Sequence, residues 1–170
     1  MLFKKTLLVT AMIAFGGFAS SSMAASPAST TFHVNLTIKS ACTVSATDAT
    51  FNQVNANAGA DQTVDATDNI SVVCSKNTPY TIGLLPSSTN TDGTGSMAGT
   101  LSSDTVGYAL YQDAGDSIAW GDATTNRLGG TTDLVGNQTQ SYTVHAKVLA
   151  VALNVTPDSY SDEVAVHVYY

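Results

Sequence analysis

The residues of this chain that could perform nucleophilic, redox or phosphate chemistry do not form a catalytic pattern. Two cysteines, Cys42 and Cys74, lie far apart, without CxxC spacing or nearby histidines at metal-ligand intervals. The nucleophile-elbow motif GxSxG is missing, and the glycine cluster at residues 93–99 lacks the Lys-Ser/Thr of a phosphate-binding loop. We therefore expect no catalytic residues, no cofactor and no enzyme activity.

Potential metal ligands are also scattered along the sequence. The three histidines fall among polar neighbours on predicted strands, which favours surface positions: His33, His145 and His167. A shared zinc site would require those strands to be adjacent. The acidic residues at 61–68 and 113–116 suit solvated turns and do not match the Asp-x-Asp-x-Asp-Gly spacing of a calcium loop. No metal site is predicted.

An aromatic sugar platform is a further possibility. Trp120, Tyr108 and Tyr111 lie close together in sequence. Strand alternation places Tyr108 and Tyr111 on opposite faces, so core packing is the better expectation for at least one of these rings.

The elements that must position these residues begin after a secretory signal peptide. Lys4 and Lys5 precede an apolar run at 7–18 and a small-residue stretch that ends at Ala24, so residues 1–24 are predicted to be removed. No later stretch approaches the roughly 20 apolar residues of a transmembrane helix. The sequence therefore predicts an exported chain without a membrane span.

Charge and cysteine content agree with export. After cleavage, four basic residues oppose thirteen acidic ones, a formal charge of −9, which disfavours binding to nucleic acid or an anionic membrane. In an oxidising compartment, the pair Cys42 and Cys74 is most simply a disulfide.

Strands joined by polar turns are the expected secondary structure. The chain is rich in Thr, Ser, Val, Asn and Gly, and only 11% of its residues are charged, which favours β structure over helices. Besides residues 31–38, the predicted strands are 41–44, 69–74, 80–85, 106–112, 117–120, 141–151 and 163–170, with a short one near 97–101. Their spacing indicates a single all-β sandwich.

Residues 31–38 show the clearest strand pattern in the chain. Large apolar residues alternate with polar ones, and the apolar set is Phe32, Val34, Leu36 and Ile38. From the pattern alone, this strand either packs within its own domain or leaves it. Its position at the start of the mature chain, after a small polar tail, favours the second possibility.

Several segments together resemble the spore coat protein U-like family, whose members include subunits of archaic (Csu-type) chaperone–usher pili. They are the strand leading into Cys42, the strand ending at Cys74, Val106–Asp113, Trp120–Asp122, Tyr142–Val148 and the ending Tyr160–Tyr170. The likeness covers essentially the whole mature chain.

The resemblance implies an incomplete immunoglobulin-like β-sandwich that is completed by donor-strand complementation. Residues 25–38 would be the tail and donor strand, and residues 39–170 the pilin domain. Phe32, Val34, Leu36 and Ile38 would be donor side chains. Val164, Val166 and Val168 would border the acceptor groove, because no further strand follows them to cover that edge.

The implied function is that of a structural pilus subunit that supports adhesion and biofilm formation. Its partners would be a periplasmic pilus chaperone, an outer-membrane usher and neighbouring subunits in a polymer. Its location would be a pilus on the cell surface, reached through the periplasm. The alternative is a free-standing secreted β-sandwich module that binds carbohydrate or a coat layer.

Overall fold

The fold is known from a computed structural model that describes residues 27–56, 58–133 and 135–170, with the backbone only at 64–68. The chain divides into two units, Met1–Thr37 and Ile38–Tyr170. The expected signal peptide lies outside the described residues. The described part contains no helix long and apolar enough to cross a membrane.

The second unit is all-β and sandwich-like, with nine strands in its described residues. They are β1 Cys42–Ala46, β2 Gln62–Cys74, β3 Thr81–Pro86, β4 Thr94–Gly99, β5 Thr105–Tyr111, β6 Leu128–Gly129, β7 Thr139–Val148, β8 Tyr160–Ser161 and β9 Val164–Tyr169. A short 3₁₀ helix, Ala150–Leu153, follows β7. The predicted fold class, an all-β sandwich, is confirmed.

The strands form two sheets in which all pairs are antiparallel. The larger sheet has the order β1-β2-β7-β5-β4-β8, and the smaller has the order β6-β3-β9. Alternate side chains of β2, β5 and β7 form one wall of the core, because successive strand residues point to opposite faces. Ile82 and Leu84 of β3 supply the facing wall.

Trp120 joins the two sheets from the connection between β5 and β6. Its side chain is fully buried, and its indole Nε1 donates a hydrogen bond to the Ile82 carbonyl at 2.9 Å. Tyr108 is also buried. These two rings therefore belong to the core and cannot form a sugar platform.

Two expected strands are not formed within the described residues of the single chain. Residues 31–38 carry no strand in the structure. Residues 117–120 form only an isolated bridge between Ala119 and Tyr111, since the Asp113 carboxylate accepts hydrogen bonds from the Ser117 and Ile118 amides and holds a local turn. In addition, the strand expected to reach residue 151 ends at Val148, where the chain enters the 3₁₀ helix.

The cysteine pair forms the expected disulfide. Cys42 and Cys74 are directly opposite one another in the β1–β2 pairing. Because β1 is an edge strand that pairs with β2 alone among the described strands, this bond fixes the border of the larger sheet.

Candidate functional site at the open edge of β9

Strand β9 forms one edge of the smaller sheet. It pairs with β3 along its whole length, from Pro86 opposite Val164 to Thr81 opposite Tyr169. Among the described residues, no strand pairs with its other side. That side therefore presents backbone N–H and C=O groups to which a further strand can bind.

The two faces of β9 differ in polarity. Val164, Val166 and Val168 are half-buried and pack against the core, whereas Ala165 and Tyr169 on the other face are exposed. The edge thus combines free backbone groups with a row of partly covered valines. This is the arrangement that strand addition uses.

Strand β1 provides the opposite border of this region, and it contacts β9. Val44 pairs directly with Val72, so the two side chains point to the same face of the sheet. Val72 is fully buried in the core, yet Val44 is 40% exposed. The core is therefore incompletely covered beside β1 as well as beside β9.

The N-terminal segment, defined here as residues 27–41, contains no regular secondary structure, and all its residues are exposed. Its four large apolar side chains are between 83% and 84% exposed: Phe32, Val34, Leu36 and Ile38. Exposure of four large apolar groups at alternating positions is unfavourable in water.

A polar cluster on the outer face of the smaller sheet anchors the C-terminal half of β9. The Tyr169 hydroxyl donates a hydrogen bond to the Asp122 carboxylate at 2.9 Å, and the His167 Nδ1 lies 3.3 Å from the same carboxylate. The Arg127 Nε donates to the Asp122 carbonyl, and its guanidinium carbon lies 3.5 Å from the centre of the Tyr169 ring.

Asp122 is the centre of this polar cluster. Its hydrogen bond raises the pKa of the Tyr169 hydroxyl, because the carboxylate stabilises the protonated phenol. A side chain at Gly83, on the neighbouring strand β3, would overlap the Asp122 carboxylate. No sequence pattern indicates this cluster, since its members are separated by up to 47 residues and meet only after folding.

A second carboxylate fixes the N-terminal end of β9. Asp162 accepts hydrogen bonds from the Tyr108 hydroxyl at 2.6 Å and from the Ser87 hydroxyl. Burial of Tyr108 raises the pKa of its hydroxyl, and the bond to Asp162 acts in the same direction. Together with the Asp122 cluster, this contact holds β9 in place at both ends although one side of the strand is unpaired.

Other candidate sites do not come together. His145 lies on β7 and His167 on β9, in different sheets, while His33 lies in the N-terminal segment. In the part of the chain that the structure describes, no three His, Cys, Asp or Glu side chains are grouped to bind a metal. The open edge of β9 is thus the best-defined candidate site.

The chain is similar to one known protein family. The family model of the Spore Coat Protein U domain matches residues 28–167. Comparison of the sequence with curated proteins identified no relative.

The fold is similar to that of a solved chain in the CsuC–CsuE chaperone–tip adhesion subunit pre-assembly complex from archaic chaperone–usher Csu pili of Acinetobacter baumannii. The TM-score is 0.55 and the sequence identity 21% over 79% of this chain. The match spans only 41% of the solved chain, so the likeness concerns the fold of one part of that protein.

Proposed function

This chain belongs to the Spore Coat Protein U domain family, and we propose that it is a structural subunit of a pilus assembled by the chaperone–usher pathway. The likeness of its fold to a chain of the Csu pre-assembly complex supports this proposal. The role is mechanical rather than catalytic. The subunit is exported through the periplasm and becomes part of a fibre on the cell surface, where it supports adhesion and biofilm formation.

The subunits polymerise by donor-strand exchange. The N-terminal segment of one copy adds to the open edge of β9 in the next copy, and its four apolar side chains cover the incompletely buried core beside β1. One observation carries the proposal: the same chain has an unpaired apolar edge and an exposed segment of alternating apolar residues. Burying four such side chains contributes roughly 6–12 kcal/mol before the costs of association.

Charge favours the same contact. The N-terminal segment contains one basic residue, Lys39, and no acidic residue, whereas residues 42–170 contain three basic and thirteen acidic ones. The segment is therefore attracted to the remainder of another copy. Because the donating and accepting surfaces differ, the contact is heterologous, and repetition of such a contact produces an open filament.

Two further partners follow from this assembly route. A periplasmic chaperone occupies the open edge of β9 before polymerisation and prevents aggregation through the unpaired strand. An outer-membrane usher is the site at which the N-terminal segment of the next subunit replaces the chaperone. The valines that border the edge are the contact residues for both occupants: Val164, Val166 and Val168.

Polymerisation of the full chain, co-expressed with a pilus chaperone, tests the donor segment. The substitution Leu36→Asp places a charge on the apolar face and is expected to abolish the polymer ladder on gels while chaperone binding persists. Thr37→Asp adds the same charge on the opposite face and is the matched control. Deletion of residues 25–38 should reproduce the effect of Leu36→Asp.

Two results would contradict this function. Equal polymerisation of the Leu36→Asp and Thr37→Asp variants would show that the apolar face is not the donor surface. A parent chain that stays a stable, protease-resistant monomer without a chaperone would instead favour a self-contained secreted binding module.

A further inference from the structure

Two charged residues flank the apolar residues of the donor segment and of β9. Lys39 follows Ile38 at the end of the donor pattern, and Glu163 precedes Val164 at the start of β9. Both are exposed, and within the described part of the chain neither side chain forms an ion pair. Each charge is therefore available to a partner from another subunit.

The alternation of the two segments restricts how they can pair. In an antiparallel arrangement, placing Ile38 opposite Val164 also places Leu36 opposite Val166 and Val34 opposite Val168. In this register, all three valines of the acceptor face an apolar donor side chain. Lys39 then falls directly opposite Glu163, on the face that points away from the core.

Slipping the antiparallel register by two residues loses part of this match. One slip places Ile38 opposite Asp162, whose carboxylate is already bound by Tyr108 and Ser87. The other slip places Lys39 opposite Ala165 and leaves Glu163 without a partner. Only the middle register satisfies the apolar residues and the charges together.

Parallel pairing of the donor segment with β9 also fails to match the apolar residues and the charges together. With Phe32 opposite Val164, Lys39 lies beyond the last residue of β9. With Val34 opposite Val164, Lys39 reaches Tyr169, but Phe32 then lies opposite Asp162. The nearest acidic group to Tyr169 is Asp122, which already interacts with Arg127, His167 and Tyr169.

We propose that Lys39 of one subunit pairs with Glu163 of the next, and that this ion pair sets the register and direction of the added strand. The proposal rests on the donor-strand function above and identifies the specificity-determining residues of the same site. Because directly opposite charges attract more strongly than charges displaced by two residues, the pair favours one register over its neighbours. Its position on the outer face avoids the cost of burying a charge.

Disulfide trapping in the full chain tests the register directly. A chain carrying Lys39→Cys and Glu163→Cys is expected to form covalent head-to-tail multimers on non-reducing gels, because directly opposite residues are close enough for a disulfide. The chain with Lys39→Cys and Ala165→Cys is the matched control and should give far less cross-linking. Preferential cross-linking of Lys39→Cys to position 161 or 165 would overturn the proposed register.

Charge reversal provides a second test without new cysteines. Lys39→Glu and Glu163→Lys are each expected to weaken assembly about two- to five-fold, and the double reversal should restore it, as for a cross-strand ion pair. Lys76→Glu changes the net charge equally at an exposed position and is the control. Additive effects in the double reversal would overturn the ion pair.

These experiments separate the two levels of the proposal. If no variant and no parent chain polymerises, the donor-strand function itself fails. If the polymer forms normally but residues 39 and 163 neither cross-link nor show coupling, only the register assignment fails.

Discussion

Single aspartates stabilise several turns and strand ends of this protein. Asp158 accepts hydrogen bonds from the Leu101 and Ser102 amides at 2.7 and 2.8 Å, and Asp122 brings together three side chains beside β9. Their partners come from distant segments, so the sequence alone could not identify these contacts.

The Asp122 contact yields a prediction at the residue scale. Asp122→Asn should lower the free energy of unfolding by about 0.5–1.5 kcal/mol, because it weakens the hydrogen bond from the Tyr169 hydroxyl and removes the carboxylate charge beside His167. Tyr169→Phe removes one hydrogen bond but keeps the ring next to Arg127, so it should cost less. Denaturant unfolding gives both values, and an equal or larger cost for Tyr169→Phe would contradict the central role of Asp122.

The two edge strands β9 and β1 are held in the fold by different contacts. β9 is paired along its full length with β3 and is anchored at both ends by side-chain contacts. β1 is only five residues long and largely exposed, and in the described part of the chain it pairs with β2 alone. The Cys42–Cys74 disulfide therefore reinforces the pairing with β2 that keeps β1 beside the open edge.

Removal of that disulfide is expected to release β1. The double substitution Cys42→Ser and Cys74→Ser should lower the free energy of unfolding by roughly 3–4 kcal/mol, because the bond closes a loop of about 33 residues. In hydrogen exchange, the β1 amides should lose protection first while the β7 amides keep theirs. Val44→Ser is the control within the same strand, and unchanged β1 protection in the cysteine variant would refute this role of the disulfide.

At the scale of the whole molecule, acidic residues dominate, and many of them stabilise the native fold in ionised form. Six aspartates have a pKa below their usual value of 3.8, because hydroxyl and backbone N–H groups donate hydrogen bonds to the carboxylate. They are Asp61, Asp92, Asp104, Asp113, Asp133 and Asp158. These hydrogen bonds are present only in the folded chain.

Acid should therefore destabilise the protein through these groups. A carboxyl whose pKa is lower in the folded state contributes its full stability above its unfolded pKa of about 3.9, and it loses that contribution as the pH falls further. The melting temperature should drop steeply below about pH 4. Asp158→Asn should make the drop shallower, whereas Asp48→Asn, at a carboxylate that accepts no hydrogen bond from the described residues, should leave it unchanged. An identical acid profile for all three proteins would contradict this account.

Sequence periodicity identified most of the longer strands but missed several features. β2 begins at Gln62, seven residues before its expected start, because residues 62–68 lack apolar alternation and are held by pairing with β7. β6 and β8 are two residues long and carry no periodic signal. Conversely, residues 31–38 have the strongest alternation and form no strand in the described single chain, because alternation of side chains does not by itself supply the backbone partner that a strand requires.

The sequence by itself determined the all-β class, the cysteine pair and the amphipathic pattern of both terminal segments, because these depend on residue type and local spacing. Only the tertiary structure decided which strand has a free side, that Val44 is left partly uncovered, and that Asp122 and Asp162 fasten the two ends of β9. Those properties depend on which distant segments become neighbours, and sheet order is set by the packing of the whole domain rather than by any local pattern.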